Sequence, residues 1–303
     1  MDKKGEIIKF AERRPASQAV FGYGSGVFEQ RDNDHSKSQT DVIFIVNDMR
    51  EWHNSNMVLN DSDYSFLGRI HFSSNNVSKI KGKNNVTYFS HIKDSGNDFM
   101  FKYGVVEVED FIRGLSTWDN LFLVGRFHKP VLDVKSNEVI RRVIEGNRDV
   151  AFRIACLFSP AATTKRDFFR TLCGLSYLGD ARMMIAENPH KVRNIVDGSY
   201  SRLKEMYSFE KPFVKTYGID KLLIDHRTIL EELYLLPESL VNYLAEMNTN
   251  LSDLEMVRKN ILEYIVGHNK SESRAQIIEG VKTNGVIRSV PYALAKIQKK
   301  IMK

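Results

Sequence analysis

Phe21-Gly22-Tyr23-Gly24-Ser25-Gly26-Val27-Phe28, followed after a polar stretch by Asp41-Val42-Ile43-Phe44-Ile45-Val46, is the pair of segments that decides the fold. A Gly-Ser-Gly turn follows a short apolar run. Gly24 and Gly26 carry no Cβ, so backbone can come close to a phosphate there. Successive N–H groups in such a turn make an anion nest. A strand-like run then opens with a carboxylate, and a carboxylate on a neighbouring strand can hold the magnesium of a nucleoside triphosphate. The pair points to nucleotidyl transfer. Taken alone, each half has a plainer explanation: an ordinary turn and a surface Asp at a strand start. The rest of the chain has to choose.

The 303 residues suffice for a large core and for two domains. Hydrophobic content of 42% and charged content of 27% are those of a globular protein. No apolar run is long enough to span a bilayer. Met1 to Arg14 mixes Lys and Arg with Asp2, Glu6 and Glu12, which is unlike a secretory signal or a mitochondrial transit peptide. Cys156 and Cys173 are the two cysteines, expected as small buried hydrophobes in a reducing compartment. The net charge of +6 suits an anionic partner without choosing among nucleotide, nucleic acid and lipid.

Along the chain, Val42 to Val46 predicts a buried strand, and Glu29 to Thr40 a polar loop. Asn47 to Leu67 predicts helix. Ile70 to Asn97 predicts strands and loops, and Phe99 to Val108 another strand. Phe111, Ile112, Leu115, Trp118, Leu121 and Phe122 recur at helical spacing, so Glu109 to Phe127 predicts one helix, stopped by Pro130. Glu138 to Leu178 and Asp180 to Tyr207 are helical with breaks. Phe213 to Ile224 includes a small β element, and Leu230 to Leu244 returns to helix. The expected architecture is α+β: a mixed sheet domain over residues 1–135, a helical domain over 136–247, and a basic amphipathic region over 248–303.

Further groups have two explanations each. Lys102 is either a phosphate-reaching point charge or a solvated edge-strand lysine. Arg126 and Lys129 either clamp phosphate or complement a helix C-terminus. Asp180 and Arg182, after Gly179, either face a site or form a helix cap. Trp52-His53 and His128 carry no spacing that supports zinc or Ser-His-Asp chemistry, so these histidines are expected to be structural.

In order along the chain, the Gly24 turn, Asp41, Trp52-His53 with Asn56, Tyr64 to Leu67, Lys102-Tyr103-Gly104, Gly125-Arg126 with Lys129-Pro130, and Gly174 to Met183 resemble the mitochondrial-type phosphatidate cytidylyltransferases. The resemblance implies a nucleotidyltransferase fold followed by a winged-helix-like domain. It implies transfer of CMP from CTP to phosphatidate with Mg2+, and peripheral attachment to an anionic membrane surface through the C-terminal region. On it, Asp41, Lys102 and Asp180 are the catalytic candidates, with Asp41 and Asp180 on the metal. Gly24, Ser25, Gly26, Tyr23, Arg126, Lys129 and Arg182 are the nucleotide-binding candidates, with Tyr23 or Tyr177 on the base. The broad nucleotidyltransferase pattern has a second carboxylate two residues beyond the first, and Ile43 stands there. The missing ligand is therefore expected elsewhere, at Asp180 first and at Glu107 or Glu109 next. The N-terminus suggests a bacterial relative acting at the inner face of its membrane. The matrix side of the mitochondrial inner membrane applies if the chain is trimmed from a eukaryotic precursor. In the apolar face of Val286, Ile287, Val290, Leu294, Ile297 and Ile301, with Lys296, Lys299, Lys300 and Lys303 beside it, the tail has the makings of an interfacial helix. The rivals are a nucleotidyltransferase acting on a protein or small molecule, and a nucleic-acid-binding protein. The chain shows no aromatic-basic interleaving for the latter, so no nucleic acid is expected as a partner.

Overall fold

The computed structural model describes residues 2–28, 39–73, 85–93, 100–185 and 188–276. Helix α1 (Lys3–Glu12) is capped by Asp2 and buries Ile7 and Phe10. It leads into strand β1 (Ala19–Tyr23), which ends at the glycine turn. Strand β2 (Thr40–Val46) follows, buried along nearly its whole length as its unbroken apolar run requires. Helix α2 (Met49–Leu59) is capped by Asp48, and α3 (Phe66–Ser73) follows it. Ile70 to Ser73 thus belongs to a helix rather than to the strand-and-loop segment expected there. Strands β3 (Val86–Lys93), β4 (Met100–Glu107) and β5 (Val131–Lys135) complete a sheet in the order β3-β4-β2-β1-β5. Only β2 and β4 run parallel; the other pairs are antiparallel.

Because alternate residues of a strand face opposite sides, this sheet has two distinct faces. Val42, Phe44, Phe89, Tyr103 and Val105 pack on one side against Phe10 of α1, Trp52 of α2 and Tyr64 just beyond α2. Ile43, Ile45, Phe21, Tyr23 and Tyr88 pack on the other against Phe111, Phe122, Leu123 and Phe127.

The helix expected over Glu109 to Phe127 is two helices, α4 (Val108–Thr117) and α5 (Leu121–Phe127). Trp118 breaks them apart in the left-handed region, at φ 60°, with its ring buried and its carbonyl accepting from Tyr264 Oη at 3.0 Å. Asn120 then caps α5.

The second half builds a separate core. Helix α6 (Glu138–Phe158) starts on an Asn137 cap and stops at Ser159, before Pro160. Strand β6 (Ala162–Thr164), helix α7 (Lys165–Gly174), helix α8 (Ala181–Ile185) and helix α9 (Lys191–Met206) follow. A hairpin of β7 (Val214–Tyr217) and β8 (Lys221–Ile224) pairs with β6 in the order β6-β8-β7. Helices α10 (His226–Glu231) and α11 (Glu238–Glu246) lead to a last helix, α12, over 254–276. Val257, Ile261, Tyr264 and Ile265 of α12 enter the same core as Phe152, Phe168 and Leu172. The apolar and basic tail residues from Val286 to Lys303 lie outside the described residues, as does most of the polar stretch after Phe28. Among the described residues no helix is long and apolar enough to cross a membrane.

Candidate active site

Asp41 occupies the opening of β2, with Tyr23 of β1 opposite on one side and Lys102 of β4 on the other. Three adjacent strands, each about 4.8 Å from the next, thus set a tyrosine, a carboxylate and a lysine in one row on one face. Lys102 stands on an inner strand and is half-buried, so it is not the edge-strand lysine of the plainer alternative. The glycine turn closes over the same row. Gly24 has φ +77°, and a Cβ there would lie 2.9 Å from Asp41 Oδ2. A Cβ on Gly26 would lie 2.0 Å from the carbonyl oxygen of Gln39. Both glycines are therefore needed for the turn to pack on the strand that carries the carboxylate. The turn is closed by Val27 N and Phe28 N, which donate to Gly24 O at 3.1 and 2.9 Å. Ile43, on the same face as Asp41, is fully buried between Phe21 and Gly104, so no polar group takes the position two residues on.

Arg126, in the last turn of α5, lies over the rings of Phe122 and Tyr23, at 4.5 and 5.1 Å from their centroids. Its Nε is buried with no hydrogen-bond partner among the described residues. Burial opposes its charge, but Tyr23, Tyr88, Tyr177 and Asp41 together raise its pKa, so the guanidinium stays ionised. Burial in turn raises the Tyr23 hydroxyl far above its ordinary range, reinforced by Tyr88 and Asp41. It pushes Tyr88 up to about 12. Both phenols are neutral donors at neutral pH. Tyr88 is an addition to the sequence-derived set: it faces Gly104 across the β3–β4 pair, and Lys102 Nζ lies 5.1 Å from its ring centroid. No local motif marks it, because its place depends on strand register.

Lys129 is 8% exposed, follows α5, and donates from Nζ to Ser176 Oγ at 2.5 Å. Its ammonium lies 5.2 Å from the Tyr177 ring centroid and 3.4 Å from His128 Nε2. Burial lowers its pKa to about 7; Cys173 opposes this, while Arg126, Lys191 and Arg182 push the same way. Burial and Lys129 also hold His128 well below its ordinary value, so that ring is neutral. Gly125 makes this approach possible, since a Cβ on it would lie 2.4 Å from Ser176 Cβ. Ser176, like Tyr88, is a site residue that the sequence did not single out.

Asp180 is buried and accepts a fork from Arg182, with Nε at 2.9 and 3.1 Å from its two oxygens and Nη2 at 2.6 Å. It also accepts from Arg182 N at 2.9 Å, so it caps α8 and faces a cavity at once. That narrow cavity is shared with Gly125, Arg126, Ser176 and Glu272. Glu272 of α12 accepts from Leu121 N and Phe122 N at 3.0 and 2.6 Å and so caps α5 from the far end of the chain. Arg182 Nη1 donates to Gln276 of the same helix at 2.6 Å.

Glu107 lies five residues along β4 from Lys102, roughly 16 Å away at the opposite end of the strand. There its carboxylate accepts from Met49 N at 3.0 Å. Glu109 is exposed at the start of α4 on that same far side. Among the described residues no group of three His, Cys, Asp or Glu side chains could hold a metal. Asp41 nonetheless fits Mg2+ as one ligand, because that cation needs only one or two carboxylates where phosphates and water supply the rest. Asp180 fits less well, with both oxygens engaged by Arg182.

The site therefore brings together a carboxylate, a glycine turn closing on it, and four cations held by aromatic rings. Its pieces come from both cores. A protein family described as "Phosphatidate cytidylyltransferase, mitochondrial" matches residues 7–299. Individual proteins of that name agree with it. The one from Caenorhabditis elegans is 28% identical over 99% of this chain and 98% of its own length. The one from Schizosaccharomyces pombe is 31% identical over 95% of this chain and 81% of its own. The one from Saccharomyces cerevisiae is 32% identical over 91% of this chain and 65% of its own.

Proposed function

The chain belongs to the mitochondrial phosphatidate cytidylyltransferase family, and from that premise we propose how its residues carry the reaction. It is a nucleotidyltransferase: it transfers CMP from CTP to phosphatidate, giving CDP-diacylglycerol and pyrophosphate.

An oxygen of the phosphatidate phosphomonoester attacks the α-phosphorus of CTP. A new P–O bond forms, the α–β bridging bond breaks, and its electron pair leaves with pyrophosphate. The attacking group is already an anion near neutral pH, so it needs little help from a base. The obstacle is repulsion between it and the triphosphate. In our reading Gly24, Ser25 and Gly26 line the β- and γ-phosphates. Lys102 and Arg126 neutralise charge over the α-phosphate, and Lys129 with Arg182 receives the acceptor. Fixed cations in a site of low polarity stabilise developing charge strongly. Tyr23 and Tyr88 offer neutral O–H donors where an anion would come to rest. Asp41 would hold Mg2+, with Asp180 joining only if Arg182 lets go. When bound, that ion withdraws charge from the phosphoryl group and orients the triphosphate.

The observation that carries this assignment is the buried Arg126 guanidinium, with its Nε unpaired, charge-coupled to Asp41 and seated beside the glycine turn. A buried ionised group left partly unpaired is costly, and a phosphate supplies its missing partner. The test is conversion of labelled CTP into lipid with phosphatidate and Mg2+. No CDP-diacylglycerol from the wild-type chain would overturn the activity. Full turnover in Arg126→Ala would overturn the assignment of that residue.

The acceptor lives in a bilayer, so the enzyme works at an anionic surface. This is the matrix side of the mitochondrial inner membrane in a eukaryote, or the inner face of the cell membrane in a bacterium. The second domain, with its hairpin, is winged-helix-like in this reading, and the basic region after Pro291 lies on the membrane. Deletion after Pro291 should reduce sedimentation with anionic vesicles, and unchanged sedimentation counts against the tail.

A further inference from the structure

The β7–β8 hairpin ends in an apolar tip. Ile219 is 96% exposed, and Tyr217 and Leu223 are 43% and 45% exposed. Register puts these residues in order. Lys215 pairs with Leu223 and Tyr217 with Lys221, so Lys215, Tyr217, Lys221 and Leu223 share the outward face, while Val214, Leu222 and Ile224 enter the core. Gly218, at φ +61°, makes the turn that projects Ile219. Lys221 Nζ lies 5.8 Å from the Tyr217 ring centroid. Lys165 joins from the start of α7, its ammonium donating to Ile219 O at 3.3 Å. The acid at the tip, Asp220, accepts from Tyr200 Oη. Farther off, Asp225 caps α10.

An isolated exposed apolar side chain needs no explanation. Here, however, an almost wholly exposed isoleucine is ringed by a tyrosine, a leucine and three lysines. We propose that this hairpin tip is a membrane-docking element, with Ile219 entering the acyl boundary of an anionic bilayer and Lys165, Lys215 and Lys221 meeting its headgroups. Charge complementarity selects the partner. A lysine near an anionic bilayer surface strengthens binding by roughly fivefold, and a tyrosine prefers the interfacial zone. Nucleic acid would use the lysines but gains nothing from the apolar tip. The site is close by. Helix α7 starts under the hairpin, where Lys165 N donates to Asp220 O at 2.8 Å, and it ends at Gly174, two residues before Ser176. Ten helical residues span roughly 15 Å. The docked hairpin thus holds the acceptor end of the site near the surface that supplies the lipid. This rests on the reading that the acceptor is a bilayer lipid.

The test uses the full chain and two readouts. Sedimentation with phosphatidylcholine vesicles containing phosphatidylglycerol reports docking. Turnover of a short-chain phosphatidate, dispersed below its micellar concentration, reports chemistry. Ile219→Asp and the pair Lys215→Gln with Lys221→Gln should keep the wild-type melting temperature and short-chain turnover. The lysine pair should lose roughly 25-fold in vesicle binding, and Ile219→Asp at least severalfold. Both should lower turnover on long-chain phosphatidate in vesicles. Unchanged vesicle binding in both variants overturns the proposal. So does a defect confined to nucleic-acid binding or to self-association. Absence of short-chain turnover in the wild type would instead strike the activity, and leave the docking measurement to be read by itself.

Discussion

The two faces of the five-stranded sheet are built from similar materials and put them to opposite use. On the α2 side, polar groups close on one another. His53 meets Tyr64 Oη through Nδ1 and Thr87 Oγ1 through Nε2, each at 2.9 Å. Asn56 donates to Tyr64 and Tyr103, and Tyr103 Oη donates to Asp63 at 2.9 Å. Asp63 in turn pairs with Arg14, both about 95% buried as side chains. On the α5 side, Lys102, Arg126, Lys129 and Arg182 gather near one another, with Asp41 and Asp180 as the nearby acids. Each face has one guanidinium Nε without a partner, Arg14 on the first and Arg126 on the second, so the difference lies in the balance of charge. A buried polar group that has its partner serves structure. A cleft where cations outnumber the acids beside them draws an anionic ligand.

That contrast can be broken experimentally. The largest effect is expected at Asp41→Asn, which should cut turnover by about 10^3-fold, the scale of a lost electrostatic contact in a transition state. Its melting temperature should stay near wild type, and a wild-type kcat would remove Asp41 from the site. On the opposite face, Asp63→Ala strands Arg14 without its partner. We expect a loss of about 3–5 kcal/mol in denaturant unfolding, with kcat retained by the fraction still folded. A kcat defect as large as that of Asp41→Asn would erase the distinction between the faces.

Lys129→Met should lower vesicle turnover by about 10^2-fold yet stabilise the fold, with a pH signature. The folded lysine has a pKa near 7 against an ordinary 10.5. Between those values the unfolded chain binds the extra proton, so wild-type stability climbs with pH across that window. Below pH 7 the fold bears the full burden of a buried ammonium. The gain in melting temperature of Lys129→Met should therefore be greatest below pH 7 and fade toward pH 10. A gain that is flat across this range would mean that the lysine is not buried charged. The smallest effect belongs to Glu107→Gln, about 0.5–1 kcal/mol from a weakened contact at the start of α2. Its turnover should match wild type, and a collapse of turnover would return Glu107 to the metal.

Much of this was legible in the sequence. The unbroken Val42 to Val46 run gave β2 away, and the glycines flanking Ser25 marked a turn that the fold sets directly on Asp41. Ile43 was readable as an absent ligand because strand periodicity puts it on the face of Asp41. Other parts depend on distant partners. Strand β5, at the expected domain boundary, was not foreseen as a strand, since five residues after a proline carry no pattern until β1 pairs with them. The break at Trp118 has neither Gly nor Pro to announce it; burial of the ring and the hydrogen bond from Tyr264 impose it against the helical apolar spacing. Tyr88, Ser176 and Glu272 escaped for the same reason, each being brought to the site by register or by docking of a remote element.

Glu272 has a consequence in time. Its carboxylate caps α5 across 151 residues of sequence. A ribosome adding about 5–20 residues per second delivers the sheet, the glycine turn and Asp41 long before that cap arrives. For roughly 10–30 s the nascent chain therefore has Asn120 as the sole side-chain cap of the helix bearing Arg126, until Glu272 adds its two contacts. The α5 N-terminus has its full set of contacts only once α12 docks. Chains truncated before Glu272 should therefore lose turnover, which CTP conversion by the truncated chain checks.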